Sequence, residues 1–313
     1  MPDIIDTWNE GKVADVEGYY ENAKINRVYV DRVHVKKAFA EYTAAYNAGD
    51  PKIKLKIDHT YRVAALCERI AKAAGMCAYD VELAWLSGML HDVGRFEQIK
   101  RYNTFSDADS VDHAKFGADL LFKDGLISTF LKGMVKCTGY KPGALEDRYS
   151  SDGVFLYDRL NKSDMEMLEL AIRCHNMYRI PQGLNSREQA FCNVLRDADK
   201  VDIFKVNIDT PLEEIYNTTT EELMKSNITD EVFDEEHCIL KAIRRTPADT
   251  VIGHVSLAYE LVYDESVRIT VEQGYLAKLM HFHSDNEETN RKMAMVREKM
   301  DSYVKKRIGE KDA

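Results

Sequence analysis

His91 and Asp92 are the residues of this 313-residue sequence that most clearly suggest chemistry. They stand side by side at the end of an apolar stretch, and burying such a pair is unfavourable unless both side chains are satisfied. A metal ion would satisfy both at once. His59 lies in the preceding predicted helix and Asp199 in a later one. Imidazole and carboxylate groups presented from three helices predict a site for a divalent metal ion.

The order of these four residues resembles the HD-domain superfamily of metal-dependent phosphohydrolases, whose pattern is H…HD…D. The matching context is GMLHDVGR at 88–95 and RDADKVD at 196–202, and the resemblance covers roughly residues 55–205. A single His-Asp dipeptide would carry no weight, whereas four ordered residues in their expected helices do. The resemblance implies an all-helical domain that holds one or two divalent ions and hydrolyses a phosphate ester or anhydride.

Two further histidines extend the resemblance. His113 follows His91 by 22 residues, and His175 precedes Asp199 by 24. This order is similar to the HD branch that cleaves dinucleoside tetraphosphates at a two-iron centre, which implies that His113 and His175 bind a second ion. The HD-GYP cyclic-dinucleotide phosphodiesterases are less similar, because Asn176 stands where they carry a second histidine followed by Gly-Tyr-Pro. The alternative for both histidines is a structural place in the core or behind the ligands.

The resemblance also implies the roles of nearby charged residues. Asp92 and a metal-bound water would form the catalytic centre, since a divalent ion lowers the pKa of its water to about 7. Arg95 would then reach a substrate phosphate through its fork of donors, although a surface salt bridge is the simpler interpretation. The weaker candidates for the substrate phosphate are Lys115, Arg62 and Lys200. Asp197 would orient a ligand histidine or accept a proton.

Composition and charge limit the partners and the compartment. The formal charge of −10 argues against a broad surface for nucleic acid, whose phosphates need basic contacts. No apolar run approaches the roughly 20 residues that span a bilayer, and the first residues lack a signal-peptide pattern. The six cysteines form no C-x-x-C pair. We therefore expect a cytoplasmic protein with reduced thiols that acts on a small phosphorylated substrate.

The positioning elements are predicted to be helices, because glycine and proline are scarce and apolar residues recur at spacings of three and four. The predicted helices lie at 35–46, 57–74, 80–93, 110–121, from 163, and at 186–204, 220–225, 230–244, 248–263, 267–280 and 287–306. Gly94 is expected to end a helix, with a loop at 98–109. Residues 132–163 read as a loop-rich insertion or a lid.

The sequence thus predicts an all-α, HD-type helical bundle with a C-terminal helical extension. Residues 1–50 would pack on the core, 51–210 would form the HD domain, and 211–313 would wall the pocket or make a homo-oligomer contact. The favoured function is a metal-dependent phosphohydrolase using Mn, Fe, Mg, Ni, Co or Zn. A non-enzymatic nucleotide-binding sensor and a nucleic acid phosphodiesterase stay open as alternatives. His254, on an apolar helix, is interpreted as a core histidine.

Overall fold

Helices dominate the computed structural model, which describes residues 26–27, 30–47, 49–131, 136–138, 155–156, 160, 162–216, 218–235 and 237–309. The all-α prediction is confirmed. The described residues add only a small antiparallel sheet, in the order β1-β2-β3. Its strands are β1 (Asn26–Arg27), β2 (Lys136–Thr138) and β3 (Phe155–Leu156). The predicted lid at 132–163 lies almost wholly outside the described residues.

The helices of the described part follow in chain order. They are α1 (Arg32–Thr43), α2 (Pro51–Ala73), α3 (Ala78–Leu90), α4 (Val93–Tyr102), α5 (His113–Ala118), α6 (Ile127–Leu131), α7 (Lys162–Cys174), α8 (Ser186–Asp209), α9 (Leu212–Tyr216), α10 (Thr220–Lys225), α11 (Asp230–Phe233), α12 (Pro247–Val255), α13 (Asp264–Gln273), α14 (Tyr275–Met280) and α15 (Glu287–Ile308). None of them is long and apolar enough to cross a bilayer.

Helices α2 and α3 form the packed pair that presents the first histidines. Pro51 opens α2 at a position where a helix needs no N–H donor. Helix α3 is apolar on nearly every face and is buried accordingly. The two helices approach so closely that a Cβ on Gly88 would lie 2.6 Å from the Cα of Ala64. This contact sets His59 on α2 beside His91, which directly follows α3.

Helix α4 corrects two of the predictions. The sequence analysis ended a helix at Gly94 and placed a loop at 98–109, but α4 includes both Gly94 and Gln98. Its buried apolar side chains are Val93, Phe96 and Ile99, while most of the other residues are charged or polar. So short an apolar repeat is easily taken for a loop. The loop begins instead after Asn103, which ends α4 with a positive φ of 52°.

Gly94 has a packing role that explains its presence inside a helix. A Cβ at this position would lie 2.4 Å from the carbonyl oxygen of His113 and 2.7 Å from the nitrogen of Gly117. Because neither glycine carries a side chain, α4 and α5 touch backbone to backbone. The contact holds the start of α5 against the residues that follow Asp92.

Helix α8 is the central helix and contacts α2, α3, α7, α13 and α14. Its N-terminus is a capping box in which the side chain of Asn185 accepts from the N–H of Glu188, and Glu188 returns a bond to the N–H of Asn185. The N-capping residue is therefore Asn185, and the helix begins at Ser186, as predicted. The central position of α8 is what allows Asp199 to meet side chains from the earlier helices.

Three of the helices predicted in the extension are shorter or divided, whereas those at 220–225 and 287–306 are found. Within its described residues, the segment 230–244 contains α11 and, later, a 3-10 turn at Lys241–Ile243. The carbonyl oxygen of Ile239 accepts from Nη2 of Arg244 at 2.7 Å. In a continuing helix, that oxygen would accept from the backbone N–H four residues later. The predicted helix 267–280 is two helices, broken where Gly274 has a φ of 67°. Likewise 248–263 is α12 followed by a 3-10 turn.

Asp197 fastens the extension to α8. Its carboxylate is fully buried and accepts the backbone N–H groups of Val262 and Tyr263 at 2.9–3.0 Å, together with the hydroxyl of Ser266 at 2.7 Å. Three donors on one buried carboxylate make a specific anchor. The beginning of α13 is thereby fixed to the same helix that carries Asp199.

Candidate metal centre

Four histidines and two aspartates converge in the interior of the helical domain. His59 comes from α2, His91 and Asp92 from the junction of α3 and α4, His113 from the first position of α5, His175 from the residue after α7, and Asp199 from α8. The four imidazoles and Asp92 are each less than 5% exposed. The structure therefore brings together all six residues that the sequence analysis selected as metal ligands.

The first group consists of His59, His91 and Asp199, whose ligand atoms lie within 4.8 Å of one another. Nε2 of His59 is 3.1 Å from Oδ1 of Asp199 and 3.3 Å from Nε2 of His91. Two imidazole nitrogens and a carboxylate oxygen facing one point are suitable ligands for a first-row divalent ion.

The second group consists of His113 and His175, which lie on the other side of Asp92. Their Nε2 atoms are 3.0 Å apart. Oδ1 of Asp92 is 3.5 Å from Nε2 of His113 and 3.8 Å from Nε2 of His175. The second group therefore has two imidazole nitrogens and one oxygen of a carboxylate that it shares with the first.

Asp92 stands between the two groups and turns one oxygen to each. Its Oδ2 is 3.6 Å from Nε2 of His59 and 3.5 Å from Nε2 of His91, whereas Oδ1 faces the second pair. A carboxylate in this position can bridge two ions. Lys56 completes the arrangement, because its Nζ donates to Oδ2 of Asp92 at 2.7 Å.

The opposite nitrogen of each imidazole is engaged by an acceptor. Nδ1 donates from His59 to Asp202 at 2.6 Å, from His91 to the carbonyl of Gly88 at 2.8 Å, from His113 to Asp107 at 2.7 Å, and from His175 to the carbonyl of Ile172 at 2.7 Å. A neutral imidazole that donates from Nδ1 has a bare lone pair on Nε2. The four Nε2 atoms thus face one another across the centre, where each can offer a lone pair to a cation. A cation is what such a donor set fits.

The pKa shifts of three residues agree with that protonation. Burial lowers the pKa of His91 to about 4, and burial together with Arg95 lowers the pKa of His113 to about 3. Burial alone would raise the pKa of Asp92, but Lys56 and the neighbouring histidines hold it well below its usual range. Neutral imidazoles and an ionised carboxylate are the forms that bind metal.

His59 differs from the other histidines. Burial and Lys56 act to lower its pKa, but the carboxylates of Asp199 and Asp202 outweigh them, so the pKa is raised. Those histidine contacts in turn hold the pKa of Asp199 far below its ordinary value, against burial. Protonation of His59 therefore competes with ion binding more strongly than protonation of His91 or His113 does.

Arg62 and Arg95 hold the carboxylates behind the histidines. Arg62 forms a bidentate pair with Asp202 at 2.6 and 2.9 Å. Nη1 of Arg95 donates to Asp107 at 2.9 Å and to the carbonyl of Phe105 at 2.7 Å. The guanidinium of Arg62 is thus occupied by a carboxylate, which explains its place without a phosphate. Arg95 keeps its Nε, which is buried and has no hydrogen-bond partner within the described residues.

Three other polar residues that the sequence predicts to act at the site form their contacts elsewhere: Asp197, Lys200 and Lys115. Asp197 bonds to the extension, and the carboxylates that contact ligand histidines from behind are Asp107 and Asp202. Lys200 is buried, and its nearest acidic partner is Glu260, with 3.8 Å between Nζ and Oε2. Lys115 is 58% exposed and pairs with Asp112 three residues earlier.

The sequence analysis missed Lys56, Asp107 and Asp202. Lys56 stands one helical turn before His59, and Asp202 one turn after Asp199, so the i, i+3 spacing was a usable signal for both. Asp107 gave no such signal, because it lies between α4 and α5 and reaches His113 only through the shape of that segment.

Comparison with known proteins supplies one match. Residues 57–205 match the HD domain family, and this range contains all six converging residues. The search of curated proteins found no match, and neither did the search of solved structures.

Proposed function

Residues 57–205 form an HD domain, and from this premise we propose that the protein is a metal-dependent phosphohydrolase. Its substrate would be a small nucleotide or phosphorylated metabolite in which a phosphate ester or anhydride is cleaved. The observation that carries the proposal is Asp92, whose two oxygens face two separate histidine pairs. A donor set of this kind suits two divalent ions, drawn from Mn, Fe, Mg, Ni, Co or Zn.

The residues that would hold the ions follow from the geometry. His59, His91 and Asp199 would hold one ion, His113 and His175 the other, and Asp92 would bridge them. The chemistry that such ions supply when bound is activation of a water molecule and neutralisation of charge on phosphoryl oxygens. Asp202 would keep Nδ1 of His59 protonated and Asp107 that of His113, so that Nε2 of each stays free and neither imidazole need reorient.

Two cationic groups at the centre would orient the substrate. Lys56 pairs with Oδ2 of Asp92, and its ammonium becomes available to a phosphoryl oxygen once that carboxylate binds a cation. Arg95 carries the unpartnered Nε, 3.7 Å from Oδ1 of Asp92. A donor buried without a partner is destabilising unless a ligand satisfies it. We therefore assign the phosphate-binding role to Lys56 and Arg95 rather than to Arg62 or Lys115.

The net charge of the protein supports a small substrate. The chain carries a formal charge of −10, which disfavours a long polyanion. We propose that the protein acts in the cytoplasm, since Cys67, Cys77, Cys174, Cys192 and Cys238 are free thiols. Residues 211–313 would close the substrate pocket, and an oligomer contact through this extension is a further proposal.

The test combines metal analysis with a substrate screen. Full-length protein, purified and then loaded with Mn²⁺, is offered nucleotides, dinucleoside polyphosphates, cyclic dinucleotides and sugar phosphates. We expect bound metal and hydrolysis of at least one class, lost in His91→Ala and Asp92→Ala. His283→Ala is the matched control, because His283 is exposed and belongs to the extension. Absence of both metal and hydrolysis would reject the proposal, and nucleotide binding without hydrolysis would favour the sensor.

A further inference from the structure

The extension brings two cations to the border of the metal centre. The hydroxyl of Tyr178, three residues after His175, donates to the carbonyl of Cys238 at 3.1 Å. This bond holds the segment that leads into the 3-10 turn Lys241–Ile243 against the loop behind the second histidine pair. The extension thereby contributes Lys241 and Arg244 to the surroundings of the site.

Lys241 is a cation without a counter-ion. Among the residues that the structure describes, its Nζ has no hydrogen-bond or ion-pair partner, and the residue is accessible to solvent. Surrounding protein atoms and Arg244 nevertheless lower its pKa, and Asp107 and Arg95 are near enough for their charges to act on it. The ammonium of Lys241 is therefore accessible to a ligand, although the neighbouring protein atoms and Arg244 disfavour its charge. Asp107 does not neutralise it, because that carboxylate is already bonded to His113 and Arg95.

Arg244 is fixed beside it and is also incompletely satisfied. Nη2 donates to the carbonyls of Ile239 and Gly253, while Nε is buried with no partner in the described part of the chain. The guanidinium occupies the space where a side chain at Gly253 would lie. No ion pair of Arg244 with a carboxylate is seen within the described ranges.

Two neighbouring side chains share this lack of partners. Nδ1 of His254 and the hydroxyl of Tyr216 are buried and unbonded within the described residues, and their rings lie 5.5 Å apart. Burial, Arg244 and Lys241 lower the pKa of His254 to about 3, so the imidazole is neutral. His254 is therefore not the satisfied core histidine that the sequence predicted. Buried polar atoms nearly always have partners, and several unpaired ones close together indicate a polar ligand.

We propose that Lys241 and Arg244 bind a second phosphate group of the substrate, next to the phosphate that is cleaved at the metal centre. The inference rests on the proposed function and makes it narrower. A substrate with two or more phosphates would pair one with the metal centre and another with these cations. Charge-assisted hydrogen bonds from an ammonium and a guanidinium to phosphate oxygens supply the affinity. A substrate with a single phosphate would leave both cations unpaired.

Binding of inorganic tripolyphosphate tests the subsite without hydrolysis. Calorimetry on the full-length protein in chelator compares the wild type with Lys241→Met, Lys241→Glu and Lys241→Arg. We expect Lys241→Met to weaken binding about 10-fold and Lys241→Glu further, while Lys241→Arg stays within about 3-fold. Lys123→Met is the matched control, because Lys123 pairs with Asp119 at the surface. Equal binding by the wild type and Lys241→Glu would overturn the proposal.

A kinetic comparison separates this inference from the proposed function. With the Mn²⁺-loaded enzyme, we expect Lys241→Met to lower kcat/KM about 10-fold for a substrate with two phosphates and less than about 2-fold for a monophosphate ester. Equal losses for both substrates would overturn the subsite. If the wild type hydrolyses nothing, the proposed function fails, and tripolyphosphate binding still decides the role of Lys241. Lys241 is the substituted residue because Arg244 also supports the backbone of Ile239.

Discussion

The two histidine pairs differ in the elements that hold them. His59 lies within the 23-residue helix α2, and His91 directly follows α3, which packs closely on α2. His113 opens the six-residue helix α5, and His175 follows the last residue of α7. The first pair thus has one histidine inside a long packed helix, whereas both histidines of the second pair stand at helix ends.

The carboxylates behind the pairs differ in the same way. Asp202 is buried and accepts hydrogen bonds from Nε and Nη2 of Arg62. Asp107 is 30% exposed and divides its oxygens among His113, Arg95 and Gln98. A ligand on a packed scaffold loses less freedom when an ion binds. We therefore expect the site of the first pair to bind its ion more tightly, and the second site to adapt more readily.

Substitution of the shared carboxylate should have the largest effect. Asp92→Asn removes the bridging charge from both pairs, and loss of several kcal/mol of transition-state stabilisation corresponds to a fall in kcat/KM of about 10³-fold. Metal content, measured after dialysis, should fall at both sites. Asp109→Asn, at an exposed position between α4 and α5, is the control. Normal affinity for even one ion in Asp92→Asn would contradict the bridging role.

Removing one histidine from each pair tests the difference directly. We expect His175→Ala to keep close to one ion per chain after dialysis and His59→Ala to keep less, because the first pair forms the tighter site. Activity should fall about 10²-fold in both, as for the loss of one group that stabilises developing charge. Metal stoichiometry is the measurement. Greater retention by His59→Ala would reverse the order of the two sites.

Substitution of the carboxylates behind the histidines should have a smaller effect. Loss of such a partner commonly weakens metal affinity about 10–100-fold. Asp202→Asn should weaken only the tighter of the two sites, and Asp107→Asn only the weaker one, as seen in competition with a fluorescent chelator. If both variants weakened the same site, the pairing of each carboxylate with its own histidine would be wrong.

The smallest effect is expected for Lys115. It is exposed and already pairs with Asp112 at 2.9 Å, so Lys115→Met should change kcat/KM by less than about 2-fold. Steady-state kinetics on the best substrate from the screen give the answer. A loss of about 10-fold would instead restore Lys115 as a phosphate contact and place substrate on the outer side of the second pair.

His91 and Asp92 could be selected from sequence because they follow a strongly apolar segment, and the other converging residues because their order resembles the HD pattern. A polar residue such as His91 or Asp199, amid residues that must be buried, is conspicuous in any sequence. The helix type was predictable for the same reason, since α2, α3 and α8 have long apolar faces. Short elements were predicted less well: α4 has only three buried apolar side chains, and its second half is predicted as a loop.

The direction of a long side chain could not be predicted. Arg62 and Arg95 are both predicted from the sequence to face a phosphate, but the guanidinium of Arg62 is occupied by Asp202, while Arg95 gives Nη1 to Asp107 and retains an unpartnered Nε. The contact between His59 and Asp202 joins residues 143 positions apart, and only the fold of α2 against α8 creates it. The position of Lys241 near the metal centre could not be predicted either, because it requires the extension to fold back over the loop that follows His175.

The spacing between the two histidine pairs depends on the lack of side chains at Gly94 and Gly117. Gly94 and Gly117 meet without side chains between them, and this contact sets how near α5 lies to the chain that follows Asp92. A methyl group at position 94 would collide with the carbonyl oxygen of His113 and push His113 away, although all six ligand residues would still be present. The distance between the two histidine pairs would then change. Gly94 is therefore a point from which the internal dimension of the centre could be adjusted without changing its composition.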